Sequence, residues 1–373
     1  MGKYNWTIKD IEKTLKKIEY LLQTETDKEK RELLLYDSVI LMNHIDDFYL
    51  GDNYNEIGKL LDNYVYAKDE LSEIKFLWSD LKRFKQIVTK PINVPNLKIK
   101  PLTYNKMLEL THDFYKTLDP YFFNLFLKCF KDRDDHIRFQ RRNKKIEYLG
   151  ESILIPSLQE TYIDIFLENN LEDVLTVIHE YAHATSILIN PFHIRQTKIL
   201  FSEVESIFME LIGTDFLDKI FKNDFGTIIK ANKINGNLNF ADNLVNIIRL
   251  IEAEKNIKKG YFSNKSLKLI AKNDCNLEAI EVDNILNNAE ITAIPYLISY
   301  MYALELYKLY KVDPEKSLYI LRKIIELNRN SEEEYYNIIK SFGLHPNDCL
   351  NKYYKKVERD ALTLTRKKSK PNT

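Results

Sequence analysis

Residues 171–189 read LEDVLTVIHEYAHATSILI, and inside them lies His179-Glu180-Tyr181-Ala182-His183. Histidines four apart on a helix leave from one face about one turn apart, so both imidazoles reach a single Zn²⁺ at about 2.0–2.1 Å. Glu180 lies about 100° round the helix, close enough to take a proton from a metal-activated water without ligating the metal. A surface helix carries a polar face, whereas Val174, Leu175, Val177, Ile178, Ala182 and Ala184 surround this motif. The helix is therefore expected to be buried, in a dry pocket where electrostatic effects are strong.

A catalytic zinc takes three protein ligands and keeps a fourth position open. Ser186 and Ile189 stand where the pattern HExxHxxGxxH has its Gly and second-shift His, so the third ligand must come from another helix. Downstream, residues 201–216 read FSEVESIFMELIGTDF. Glu203 and Glu210 are seven apart and share a helix face with Ser206 between them, and Glu205 points roughly the other way. A helix glutamate is usually solvated. Glu203 leads because it begins its helix and the preceding loop, with Pro191, can fold it back onto the histidines. Glu210 or Ser206 can then orient the imidazoles.

Outward from these segments, the chain of 373 residues is long for one core and fits one large or two closely packed domains. Lys+Arg and Asp+Glu both number 55, and a balanced charge argues against bulk nucleic-acid or anionic-membrane binding. Only 9 Gly among plentiful Leu, Ile, Lys and Glu favours long helices. Cys129, Cys275 and Cys349 are far apart with no CxxC, and read as reduced buried thiols. The start MGKYNWTIKDIEKTLKK shows no secretory signal, and the apolar stretch Ile294 to Leu304 is too short to span a bilayer, so a cytoplasmic protein is expected.

Helical spacing recurs from Trp6 to about Val88, as in Ile11, Leu15, Ile18, Leu21 and Leu22. Pro91, Pro95 and Pro101 then interrupt it, and the boundary between an N-terminal helical cap (1–96) and the main domain (97–365) is placed there. Residues 103–132 are helical again. From Ile146 to Ile165 β-branched and aromatic residues surround Gly150 and Pro156, predicting a small sheet at roughly Tyr148 to Leu158. Helices resume at about Leu171, and the basic tail 366–373 is expected to be disordered. The run Arg141 to Lys145 reads as a solvated turn.

Several motifs in order resemble the M3 peptidases, the thimet-oligopeptidase and oligoendopeptidase F family. DVLTVIHEYAHA looks like the family's DVxTLxHExGHA through Asp173, Thr176, His179, Glu180, His183 and Ala184, with Ala182 in place of the family's glycine. Residues 203–210, EVESIFME, look like its ExxSxxxE, which places the third zinc ligand on Glu203. LTYNKMLELTHDFYKTLDPYFFNLFLKCF, IPYLISYMYAL and SFGLHPND resemble flanking segments, so the similarity covers roughly Leu97 to Asn347. The resemblance implies a mainly α catalytic domain with a small antiparallel sheet beside the HExxH helix. It also implies that substrate backbone is laid on the strand Gly150 to Leu158 by strand addition, in a chain whose N-terminal region is shorter than the family's.

Peptide hydrolysis develops an oxyanion that a phenol can stabilise. Tyr296 and Tyr300 are four apart after Pro295 and share a helix face, which Tyr307 extends and Tyr302 opposes. Such a stripe is more often a core face, and the resemblance implies that tyrosines of this helix act on the intermediate. The combined expectation is a zinc metalloendopeptidase of oligopeptides. Zn²⁺ sits on His179, His183 and Glu203, Glu180 is the general base, and Tyr300 or Tyr296 stabilises the oxyanion. Its partner is a peptide, with no nucleic acid or membrane. A processing protease or carboxypeptidase of related type, or an inactive peptide-binding protein, are the rival readings.

Overall fold

The computed structural model describes residues 4–50, 83–95, 102–141, 149–168, 170–191, 201–221, 225–256, 293–327, 332–345 and 348–369. Two helices open it, α1 (Ile8–Thr24) and α2 (Lys28–Leu50). Thr7 starts α1 with a capping box, its N–H donating to Asp10 Oδ2 at 2.7 Å. The helices α3 (Tyr104–Lys116) and α4 (Pro120–Lys131) start on Thr103 and Asp119. Those side chains accept from the Lys106 and Phe122 amides at 3.3 and 2.8 Å. Pro120 sits in the first turn, where a missing N–H costs nothing.

A single turn, α5 (Arg133–His136), leads into a sheet of β1 (Ile137–Arg141), β2 (Gly150–Ile155) and β3 (Glu160–Leu167) in the order β1-β3-β2. The sheet is mixed, where the expectation was antiparallel. A tight turn makes β2 antiparallel to β3, with Ser152 opposite Ile163. β1 lies on the far side of β3, joined to it by no hairpin, and runs parallel with Ile137 opposite Ile163. On β1, Arg138 grips the buried Asp164 with both ends of its guanidinium, Nε at 2.7 Å, and Gln140 adds a bond at 3.2 Å. The Arg138 guanidinium also lies 3.9 Å over the Trp6 ring.

The sheet has a helical layer on each face. Ile153, Ile155 and Tyr162 pack under α1 and α2 with Trp6, Ile11, Ile18, Leu34 and Leu41. Two polar contacts pin that layer: Trp6 Nε1 donates to Ile163 O at 3.2 Å, and Thr14 Oγ1 meets the Tyr162 hydroxyl at 2.9 Å. On the other face Ile163, Ile165 and Leu167 join the main core, built round α6 (Glu172–Ile189), α7 (Val204–Phe221) and α9 (Ala293–Tyr310). Gly213 lets α7 approach α6, since a Cβ there would lie 3.0 Å from Ile178 Cδ1. Each fully buried Val, Leu or Ile contributes about 1.5–3 kcal/mol, which offsets placing ionisable groups on the same helices.

The remaining helices are α8 (Phe225–Asn256), α10 (Pro314–Glu326), α11 (Glu332–Ser341) and α12 (Leu350–Ser369). Residues 83–95 run into the same core through Phe84, Val88 and Ile92. The Ile92 amide donates to Asn235 Oδ1 at 2.7 Å, and Asn235 Nδ2 returns a bond to Ile92 O at 2.9 Å. α12 continues through Ser369, into the stretch expected to be a disordered tail; Ala, Leu, Arg and Lys are good helix formers, and Pro371 comes later. Residues 370–373, Cys275 and Pro101 lie outside the described residues. Among the described residues, Cys129 and Cys349 are free, and burial pushes the Cys129 thiol up to about 12. No helix among them is long and apolar enough to cross a membrane.

Candidate metal centre

α6 carries the two histidines through the middle of the core, and its burial is nearly complete, from Asp173 through Ile187. Asp173 fixes the turn that enters it, accepting from the Glu168 amide at 3.0 Å and the Asn170 amide at 3.3 Å. Behind the helix, the Tyr115 hydroxyl of α3 donates to Ile178 O at 3.1 Å. His179 and His183 leave the opposite side and face α7.

Glu203 stands one residue before α7, in the capping position: its carbonyl accepts the Ile207 amide at 3.0 Å. Its own amide donates to Ser299 Oγ of α9 at 3.3 Å, and Ser206 Oγ donates to its Oε2 at 2.8 Å. These bonds aim the carboxylate at the histidines. Glu203 Oε2 lies 3.1 Å from His179 Nε2 and 3.2 Å from His183 Nε2, and the two Nε2 atoms are 3.2 Å apart. Ligands at about 2.0–2.1 Å round a tetrahedral ion stand about 3.3–3.4 Å from one another. The near-equilateral triangle fits a zinc ion.

The outer nitrogens explain why these atoms converge. His179 Nδ1 meets Glu210 Oε1 at 2.5 Å and His183 Nδ1 meets Glu205 Oε1 at 3.3 Å. Both protons thereby point outward, leaving two Nε2 lone pairs and a carboxylate oxygen aimed at one point. Three acceptors so placed are satisfied by positive charge. Burial disfavours the charged form of His183, yet Glu203 and Glu205 overcome it and push its pKa well above the imidazole range. Burial would raise Glu203, but the two imidazoles hold it well below the usual carboxylate range.

Glu180 is buried beside the triangle, with burial raising its pKa against the opposing pull of the two imidazoles. β2 holds it. Ser152 Oγ donates to Glu180 Oε2 at 2.5 Å, and Gly150 leaves room for the other oxygen, because a Cβ at Gly150 would collide with Glu180 Oε1 and Thr176 Cγ2. β2 pairs with β3 on one side, and among the described residues its other edge is unpaired.

Of the two tyrosines, Tyr296 reaches the metal residues. Its ring centroid is 6.4 Å from that of His179 with planes 22° apart, and the residue is 38% exposed. Tyr300 is one turn deeper and fully buried; burial pushes its phenol up, and Tyr353 lies beside it. Tyr300 thus packs in the core with its hydroxyl beside Tyr353. Ser152, Glu205 and Lys233, whose ammonium pairs with Glu210, were missed by sequence reasoning. Glu205 was taken to point away from Glu203 because both were put on one helix. Glu203 precedes the helix, so the face argument does not apply to it.

No family model matches the sequence, and no curated protein matches it. Solved structures do. PZ peptidase A in complex with an inhibitor is similar at a TM-score of 0.50 and 13% identity, covering 90% of this chain and 66% of that one. A putative peptidase from Chlamydophila abortus is similar at 0.50 and 15%, covering 95% and 63%. The chain has the fold of these peptidases. A putative oligoendopeptidase F from Bacillus anthracis str. Ames is similar at 0.48 and 13%, covering 91% and 65%; the fold conclusion rests on the first two. The chain spans about two thirds of the length of the structures it matches.

Proposed function

We propose that the chain is a zinc-dependent metallopeptidase that hydrolyses peptide bonds within oligopeptides. The observation that carries this reading is the convergence of His179 Nε2, His183 Nε2 and Glu203 Oε2 within 3.2 Å of one another, with the buried Glu180 carboxylate alongside. His179, His183 and Glu203 would hold the ion. Zinc held there supplies Lewis acidity toward the scissile carbonyl and lowers the pKa of water.

The chain's own groups do the rest. Glu180 takes a proton from the attacking water and delivers it to the leaving amine, a task suited to a carboxylate whose pKa is raised toward neutrality. Ser152 holds Glu180 in one rotamer during both transfers. Tyr296, exposed beside His179, donates its phenol proton to the developing oxyanion. The edge of β2 that is unpaired among the described residues, next to Glu180, binds the substrate backbone.

The test is zinc content together with hydrolysis of a quenched peptide library blocked at both ends. One zinc per chain is expected, with turnover that falls by at least about 10²-fold in Glu180→Gln while zinc is retained. Turnover indifferent to Glu180→Gln sinks the mechanism. Zinc without turnover favours a peptide-binding protein, and cleavage only of peptides with a free terminus favours an exopeptidase.

A further inference from the structure

Lys233 of α8 has no part in this chemistry, yet its ammonium reaches the carboxylate behind the metal triangle. Nζ pairs with Glu210 Oε2, while Glu210 Oε1 accepts from His179 Nδ1 at 2.5 Å. The second acidic group facing this ammonium is Glu172, at the start of α6, which Asn232 also hydrogen-bonds. Three helices thus meet in a line running Lys233, Glu210, His179 and the metal point. Lysine is seldom placed where its ammonium loses water. Burial pulls Lys233 down to about 8, with Glu172 opposing.

The backing of the two imidazoles is unequal. Glu205 meets His183 at 3.3 Å, whereas Glu210 meets His179 at 2.5 Å and carries the lysine on its other oxygen. Without the ammonium, the second oxygen of Glu210 loses the contact that holds it, and the carboxylate can turn toward water. That would weaken its bond to Nδ1–H, and with it the orientation of the ring.

We propose that Lys233 is a positioning residue for the metal centre: its ion pair with Glu210 keeps that carboxylate aimed at His179 Nδ1, fixing the ring with Nε2 turned to His183 and Glu203. The inference rests on the metal reading above and assigns a distance-acting role to a residue that touches neither metal nor substrate. The experiment is a cycle read by zinc affinity, measured by competition with a chromogenic chelator on the full chain. Wild type, Lys233→Met, Glu210→Gln and the double variant are compared. Lys233→Met is expected to weaken zinc binding about 10-fold. In the Glu210→Gln background the same substitution is expected to change it less than about 2-fold, because the group through which the lysine acts is gone.

Equal weakening in both backgrounds, or none in Lys233→Met, overturns the proposal. If Lys233→Met does not fold, Lys233→Gln removes the charge, keeps a polar head, and is judged by the same two outcomes. A wild-type chain that binds no zinc is a separate result, and it overturns the metal reading itself.

Discussion

Glu180 is held from two sides by one strand, which makes its rotamer a property of β2 as much as of its own helix. Ser152 donates to one oxygen, and the missing side chain at Gly150 leaves space for the other. Ser152→Ala is expected to lower kcat about 10-fold, since a bond to a charged group contributes about 1.5–3 kcal/mol. KM and zinc content should stay as they are. The pH profile gives the sign. Burial raises the Glu180 pKa, and the Ser152 bond favours the charged form and lowers it. A general base works deprotonated, so kcat/KM falls as pH drops through that raised value. Without the bond the pKa climbs further, so the acid limb of Ser152→Ala should move to higher pH; a limb that stays or moves down would contradict the assignment. The two histidines and Glu180 were legible in the sequence because a spacing of four has one geometric meaning on a helix. Ser152, Glu205 and Lys233 were not, because each is brought in by a different element at a distance no spacing records.

At the scale of elements, the helices were legible and the sheet only in part. Apolar periodicity and caps at Thr103 and Asp119 mark α3 and α4 plainly. β1 escaped because it is only five residues long: its alternation, Ile137 and Phe139 toward the main core and Arg138 and Gln140 toward Asp164, spans too few residues to stand out beside the charged turns around it. A comparable polar join fastens the helices behind the metal centre. Asp215 of α7 accepts from Lys230 of α8 at 2.5 Å, from Tyr307 of α9 at 2.6 Å and from Lys311, just past the end of α9, at 2.7 Å. Burial would raise its pKa, but Lys230 and the other donors lower it below the ordinary value. Its stabilising contribution is therefore fully present above the unfolded carboxylate pKa and is lost as pH falls through the lower folded value. Asp215→Asn leaves the part-buried Lys230 without its counter-ion and is expected to destabilise the fold by about 2–4 kcal/mol at neutral pH. Urea unfolding should show this gap closing as the medium is acidified; a gap that widens would mean the carboxylate is not the group responsible.

Across the whole molecule, the point on which the three candidate ligand atoms converge is where elements distant in sequence meet. α6 brings the histidines, the residue before α7 brings Glu203, α9 anchors Glu203 through Ser299, and β2 brings the grip on Glu180. The helical layer of α1 and α2 supports that sheet from the far face. Four carboxylates, those of Glu180, Glu203, Glu205 and Glu210, crowd two imidazoles in this buried space. A cation bound between them would relieve their mutual repulsion beyond what Lys233 does at Glu210, so a metal held there would add to the stability of the core as well as supply chemistry. A ligand bound only by the folded state stabilises it by about 2.7 kcal/mol at a hundredfold excess over Kd. Stripping zinc with a chelator should therefore lower Tm by several degrees, and restoring zinc should return it. The effect should shrink on acidification, because protons compete for His183, whose pKa the carboxylates raise. If the chelator left Tm unchanged at neutral pH while zinc was shown to have gone, the converging carboxylates would have another counter-charge and the metal's place in the core would have to be given up.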